Sequence, residues 1–190
     1  MPLDEEFMAF LNTEQKFGSL TKFFHWTIFL LLCLQFILAQ LFDYYPEDSS
    51  EFYRTIVWHE TNGVLILISI LGLFISRFLG KRPPYPAQVA TWEKALSRLT
   101  HVLLFAFLFF IPLIGIGMSW FSGYDVAFFK WSIPSPFAAN KYMANLFHEL
   151  HEIFAFIAFG LIVLHIAAAL FHHFVRKDNI LNRMRPFGKV

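Results

Sequence analysis

Four apolar runs dominate this chain, Phe23 to Phe42, Val57 to Leu79, Leu99 to Phe121 and Phe147 to Val175. Each is long enough to cross the hydrocarbon core of a bilayer, which takes roughly 20 helical residues. In lipid the backbone must satisfy its own N–H and C=O groups, so a span is either a helix or a strand of a closed barrel. A barrel strand would alternate apolar and polar residues over about ten positions, and these runs do not. The expected fold class is therefore all-α, an integral-membrane four-helix bundle. A content of 57% hydrophobic and 15% charged residues, with mean hydropathy +0.53, excludes an ordinary soluble domain. The expected division is an acidic N-terminal extension over 1–17, a transmembrane domain over 18–184 and a short basic tail over 185–190. That leaves no room for a separate soluble module. Membrane lipid is an expected partner, and nucleic acid is not.

Orientation follows from where lysine and arginine collect. The second connection carries Arg77, Lys81, Arg82, Lys94 and Arg98, and the C-terminal tail carries Arg176, Lys177, Arg183, Arg185 and Lys189. The first connection sets Arg54 against Asp43, Glu47, Asp48 and Glu51, and the third has only Lys130 and Lys141. By the positive-inside bias both termini are expected to be cytoplasmic. The first stretch is acidic at Asp4, Glu5 and Glu6, and no small-residue cleavage site follows the first apolar run, so that run reads as a retained span. The lone Cys33 offers neither a disulfide framework nor a covalent haem attachment.

Ionisable side chains inside membrane spans are costly and point to function. His25, His59, His151 and His165 sit in or at the ends of the spans, and the expected topology sorts them by depth. His25 lies at the cytoplasmic level with His165, and His59 at the periplasmic level with His151. His151 and His165 are fourteen residues apart, about 21 Å of helical rise and nearly four whole turns, so both project from almost one face. Neutral imidazoles from facing helices could then ligate iron from both sides at each of two levels. With both axial positions closed, electron transfer is favoured over oxygen binding. The expected cofactors are two non-covalent haem b groups.

One histidine in an apolar span is as readily explained by a hydrogen bond within the bundle; four that pair by depth are harder to explain so. His101 reads as a packing or hydrogen-bonding residue and His148 as interfacial. His172 lies seven residues after His165 on the same helical face, a candidate for a quinone head group or a haem propionate, with an interfacial anchor the equal alternative. Pro112, followed by Gly115 and Gly117, predicts a kink in the third span. The five tryptophans fall near span ends, where an aromatic belt is expected.

The strings FFHWTIF around His25, WHETNGVLIL around His59 and LHEIFAFIAFGLIVLHIAAALFHHFVRKDNIL from Leu150 resemble the bacterial cytochrome b561 family of four-helix dihaem membrane proteins. The match covers about Gly18 to Met184, and the first dozen or so residues depart from it. The resemblance implies b-type haems on the same four histidines and oxidoreduction with quinone. For some members it implies superoxide as periplasmic donor and ubiquinone as acceptor.

Haem propionates favour cationic partners near the water boundary: Arg77, Lys81 or Arg176 at the cytoplasmic level, and Arg54, Lys130 or Lys141 at the periplasmic one. Lys130 and Lys141 would also steer a small anion such as superoxide. The expected function is transmembrane electron transfer, as an oxidoreductase of the bacterial inner membrane exchanging electrons with the quinone pool. A membrane-anchor subunit serving a partner dehydrogenase or hydrogenase is the alternative within that chemistry. A histidine-based proton channel or transporter, or a structural protein with packed histidines, is the alternative outside it.

Overall fold

The computed structural model describes residues 10–186, so Asp4, Glu5, Glu6 and Lys189 lie outside the described residues. Four helices, each long and apolar enough to span a membrane, make up most of the chain: α1 (Ser19–Tyr44), α2 (Ser50–Ser76), α3 (Thr91–Phe121) and α4 (Lys141–Phe171). A π-helical turn, His172–Arg176, continues α4. A hairpin of β1 (Val126–Phe128) and β2 (Trp131–Ile133) lies between α3 and α4, a local addition to the expected all-α fold.

Three helices begin well before their apolar runs, because capping chemistry sets a helix start and hydropathy does not. The Ser49 hydroxyl accepts from the Phe52 amide ahead of α2, Glu93 accepts from the Ala90 amide at α3, and Asn140 accepts from the Met143 amide at α4. α2 ends at Ser76, short of the expected Leu79. There the amides of Arg77, Phe78 and Leu79 turn to carbonyls three residues back, and Gly80 at φ 91° redirects the chain.

The chain divides into two compact units, and each helix contributes a segment to both. Among the described residues the first unit holds 10–27, 69–106 and 158–186. It is knotted by Asn12, whose side chain donates to the Ser76 carbonyl and accepts from the Gly18 amide and the Thr21 hydroxyl, all within 3.0 Å. The Thr21 hydroxyl also meets that of Ser76, so the start of α1 and the end of α2 share one buried polar cluster. In the same unit the Trp26 indole donates to the Met184 carbonyl at 2.9 Å.

The second unit holds residues 28–68 and 107–157. Here the Glu60 carboxylate takes the Ser119 hydroxyl at 2.6 Å and the Ala127 amide at 2.7 Å, while the Thr61 hydroxyl takes the Phe129 amide. Two consecutive residues of α2 thus pin the hairpin.

Candidate functional site

In the first unit, His25 on α1 and His165 on α4 face each other with ring centroids 6.2 Å apart, their planes tilted by 57°. In the second unit, His59 on α2 and His151 on α4 stand at the same 6.2 Å, with planes at 61°. Rings at that spacing are too far apart for a direct hydrogen bond, whose heavy atoms meet at roughly 2.9 Å. They are close enough for one metal ion to bridge, since metal–imidazole bonds run to roughly 2.0 Å.

Orphaned nitrogens favour that use. The buried Nδ1 atoms of His25 and His59 have no hydrogen-bond partner, an expensive state for a ring with nothing else to bind. Two nitrogens would under-coordinate a bare ion, whereas a porphyrin supplies four donors of its own and asks only for axial ligands. The residues present therefore fit haem at both pairs.

The surroundings of each pair differ. His151 Nδ1 lies 3.2 Å from the Ile111 carbonyl, which can only accept, so Nδ1 carries the proton and Nε2 keeps its lone pair. Ile111 precedes Pro112, and one turn on, a Cβ at Gly115 would lie 3.1 Å from His151 Cε1. The segment of α3 around Pro112 thus orients a histidine on α4, the indirect support a metal-binding imidazole usually has. At the partner ring, Gln35 lies 3.0 Å from His59 Nε2, and its carbonyl accepts from Asn62, which also donates to the Leu31 carbonyl. A polar trio thus lines the apolar span beside His59.

Around the first pair, His101 stands edge-on to His165 with centroids 5.2 Å apart, and its Nδ1 donates to the Ser97 carbonyl at 2.6 Å. It is a third imidazole beside this pair, packed and hydrogen-bonded. Arg77 is half-buried just past the end of α2, its guanidinium 4.4 Å from the Phe105 ring centroid.

His172 directly follows the last α-helical residue of α4, Phe171. It opens the π-helical turn, and its Nδ1 lies 2.6 Å from the carboxylate of Asp178, which is 1% exposed. Asp178 also accepts from the Ile180 amide and donates its own amide to the His172 carbonyl. The other candidate cations have partners of their own: Lys81 pairs with Glu14, Arg176 with Glu93, Arg54 with Glu51, and Lys130 lies over the Trp131 ring. Lys141 and His148 are exposed.

Residues 16–187 match the family described as prokaryotic cytochrome b561. The chain belongs to that family. Among its relatives are cytochrome b561 homolog 1 of Escherichia coli strain K12, 28% identical over 92% of this chain and 99% of that protein, and cytochrome b561 homolog 2 of the same strain, 25% identical over 93% of this chain and 95% of that one. A protein of Yersinia pestis named as a probable superoxide oxidase, CybB, is 26% identical over 90% of this chain and 97% of its own length. As a b561 cytochrome the chain is a multi-pass protein of the bacterial inner membrane that binds b-type haem and works in membrane electron transfer.

Proposed function

We propose that His25 and His165 hold one haem b and His59 and His151 a second, and that the chain passes electrons between the two membrane faces and the quinone pool. The observation that carries this reading is the repeated facing pair, 6.2 Å between rings in each of two compact units. Haem held by these histidines would supply reversible one-electron chemistry. The protein supplies the rest: His151 is held in one tautomer by the Ile111 carbonyl, and Gln35 and Asn62 set polar groups beside His59.

With both termini cytoplasmic, His59 and His151 serve the periplasmic end. The donor there is superoxide, a choice supported by the printed name of the Yersinia relative. Two superoxide anions give up one electron each and leave as oxygen; one quinone takes both electrons and two protons and leaves as quinol. His172, fixed by Asp178, sits at the cytoplasmic end and hydrogen bonds the quinone head group. A proton relay through the histidines would need none of this pairing and would be colourless.

The test is a reduced-minus-oxidised visible spectrum with pyridine haemochrome quantitation on detergent-purified protein and on His59→Ala and His165→Ala. Two haem b per chain are expected, one lost in each variant. A colourless product from haem-replete cells overturns the reading.

A further inference from the structure

Beside the site already described, the first unit carries a cavity of about 380 Å³ whose lining includes Arg77, Arg82, Phe74, Phe78, Val102 and Phe105. It lies where the end of α2 meets the start of α3, at the arginine- and lysine-rich end of the chain. Its walls and floor have opposite character. Phe74, Phe78 and Val102 are 51%, 72% and 64% exposed, so its rim presents apolar surface outward from a membrane helix end. Two guanidinium groups enter the same space.

The charges there are not balanced from within. Among the described residues no carboxylate forms an ion pair with Arg77 or Arg82. The nearby acids are already engaged, Glu14 by Lys81 and Glu93 by Arg176, and Arg183 donates to the Pro84 carbonyl. Burial first, and then the neighbouring charge of Arg82, pulls the Arg77 guanidinium down to about 10, with Tyr85 opposing. It stays cationic at neutral pH, and a half-buried cation without a counter-ion is costly.

We propose that this cavity binds an anionic phospholipid, its phosphate held by Arg77 and Arg82 and an acyl chain laid along Phe74, Phe78 and Val102. Guanidinium is the side chain whose fork of donors matches phosphate oxygens, and basic pockets between spans on the cytoplasmic side are suited to anionic head groups. A neutral quinone would leave both charges unmet, and a free anion would leave the apolar rim unused. The cavity size suits a head group and the first part of a chain.

The experiment uses the full chain with its haem, reconstituted in bilayers of phosphatidylcholine alone or with added phosphatidylglycerol, and read by retained phospholipid in native mass spectrometry and by melting temperature. Wild type is expected to retain phosphatidylglycerol and to melt higher in its presence. Arg77→Gln/Arg82→Gln should retain it about 30-fold less well, the effect of two interfacial charges. The exposed Arg98→Gln, which removes a charge outside the cavity, should behave as wild type.

Equal retention by the double variant, or equal stabilisation by both lipids, overturns the proposal. So does stabilisation by inorganic phosphate alone, which would mark a free-anion site. Loss of haem from Arg82→Gln with lipid retention unchanged would assign the cavity to a haem propionate instead and overturn it as well.

Discussion

His151 and Gly115 are in contact: a Cβ added to the glycine would fall 3.1 Å from Cε1 of the imidazole and 3.3 Å from Nδ1. A side chain larger than a methyl would press on the ring, which approaches α3 closely enough to donate to the Ile111 carbonyl. Gly115→Leu is therefore expected to displace His151 and remove about half of the haem, leaving that of His25 and His165. Pyridine haemochrome quantitation measures this directly. Full haem content in Gly115→Leu would show that the contact does not position the ring.

Asn12 makes the second prediction. Its side chain is buried and makes three hydrogen bonds, to Ser76, Gly18 and Thr21. Asn12→Ala leaves those groups unmatched in a closed cluster and should cost about 2–3 kcal/mol, read as a lower melting temperature in detergent. The neighbouring Lys81–Glu14 ion pair is exposed at both ends, so Lys81→Ala should change stability by less than about 0.5 kcal/mol. A larger loss from Lys81→Ala than from Asn12→Ala would reverse this ranking.

The Glu60 carboxylate accepts from Ser119 and from the Ala127 amide, and so ties α2 to the loop after α3. Glu60→Ala removes both acceptor atoms. Hydrogen exchange at Ala127 and through β1 and β2 should accelerate by about tenfold, with the helices unchanged. Unaltered exchange over 126–133 would mean that strand pairing alone holds the hairpin.

These elements differ in how legible they were in the sequence. The four spans followed from hydropathy, because a bilayer imposes length and apolarity on any helix that crosses it. The pairing of His25 with His165 and of His59 with His151 followed from depth alone, since antiparallel spans place residues at computable heights. The hairpin had no such signal: its two-residue loop is Phe129–Lys130, and Phe129 adopts φ 56° where asparagine or glycine is normal. It is held from outside by Glu60 and Thr61, contacts that no local pattern encodes. His101, Gln35 and Asn62 were equally hidden, because a polar residue in a span announces cost but not its partner. Pro112 was visible in the sequence, while the use of the Ile111 carbonyl as an anchor for His151 depended on packing.

The buried pair of His172 and Asp178 supports the last prediction. The 2.6 Å contact assigns the Nδ1 proton toward the carboxylate, which leaves Nε2 as the atom that meets quinone in the proposed reaction. Asp178→Asn keeps the size and the bond to the Ile180 amide yet removes the charge that fixes the ring. Reoxidation of the reduced protein by a soluble quinone should slow by about tenfold, with two haems retained and the melting temperature lowered only slightly. His172→Gln should slow it as much, and the double variant no further, since both act through one imidazole. Stopped-flow absorbance in the visible bands follows the rate. Additive losses in the double variant would mean that Asp178 only closes the π turn, and that quinone meets the protein without His172.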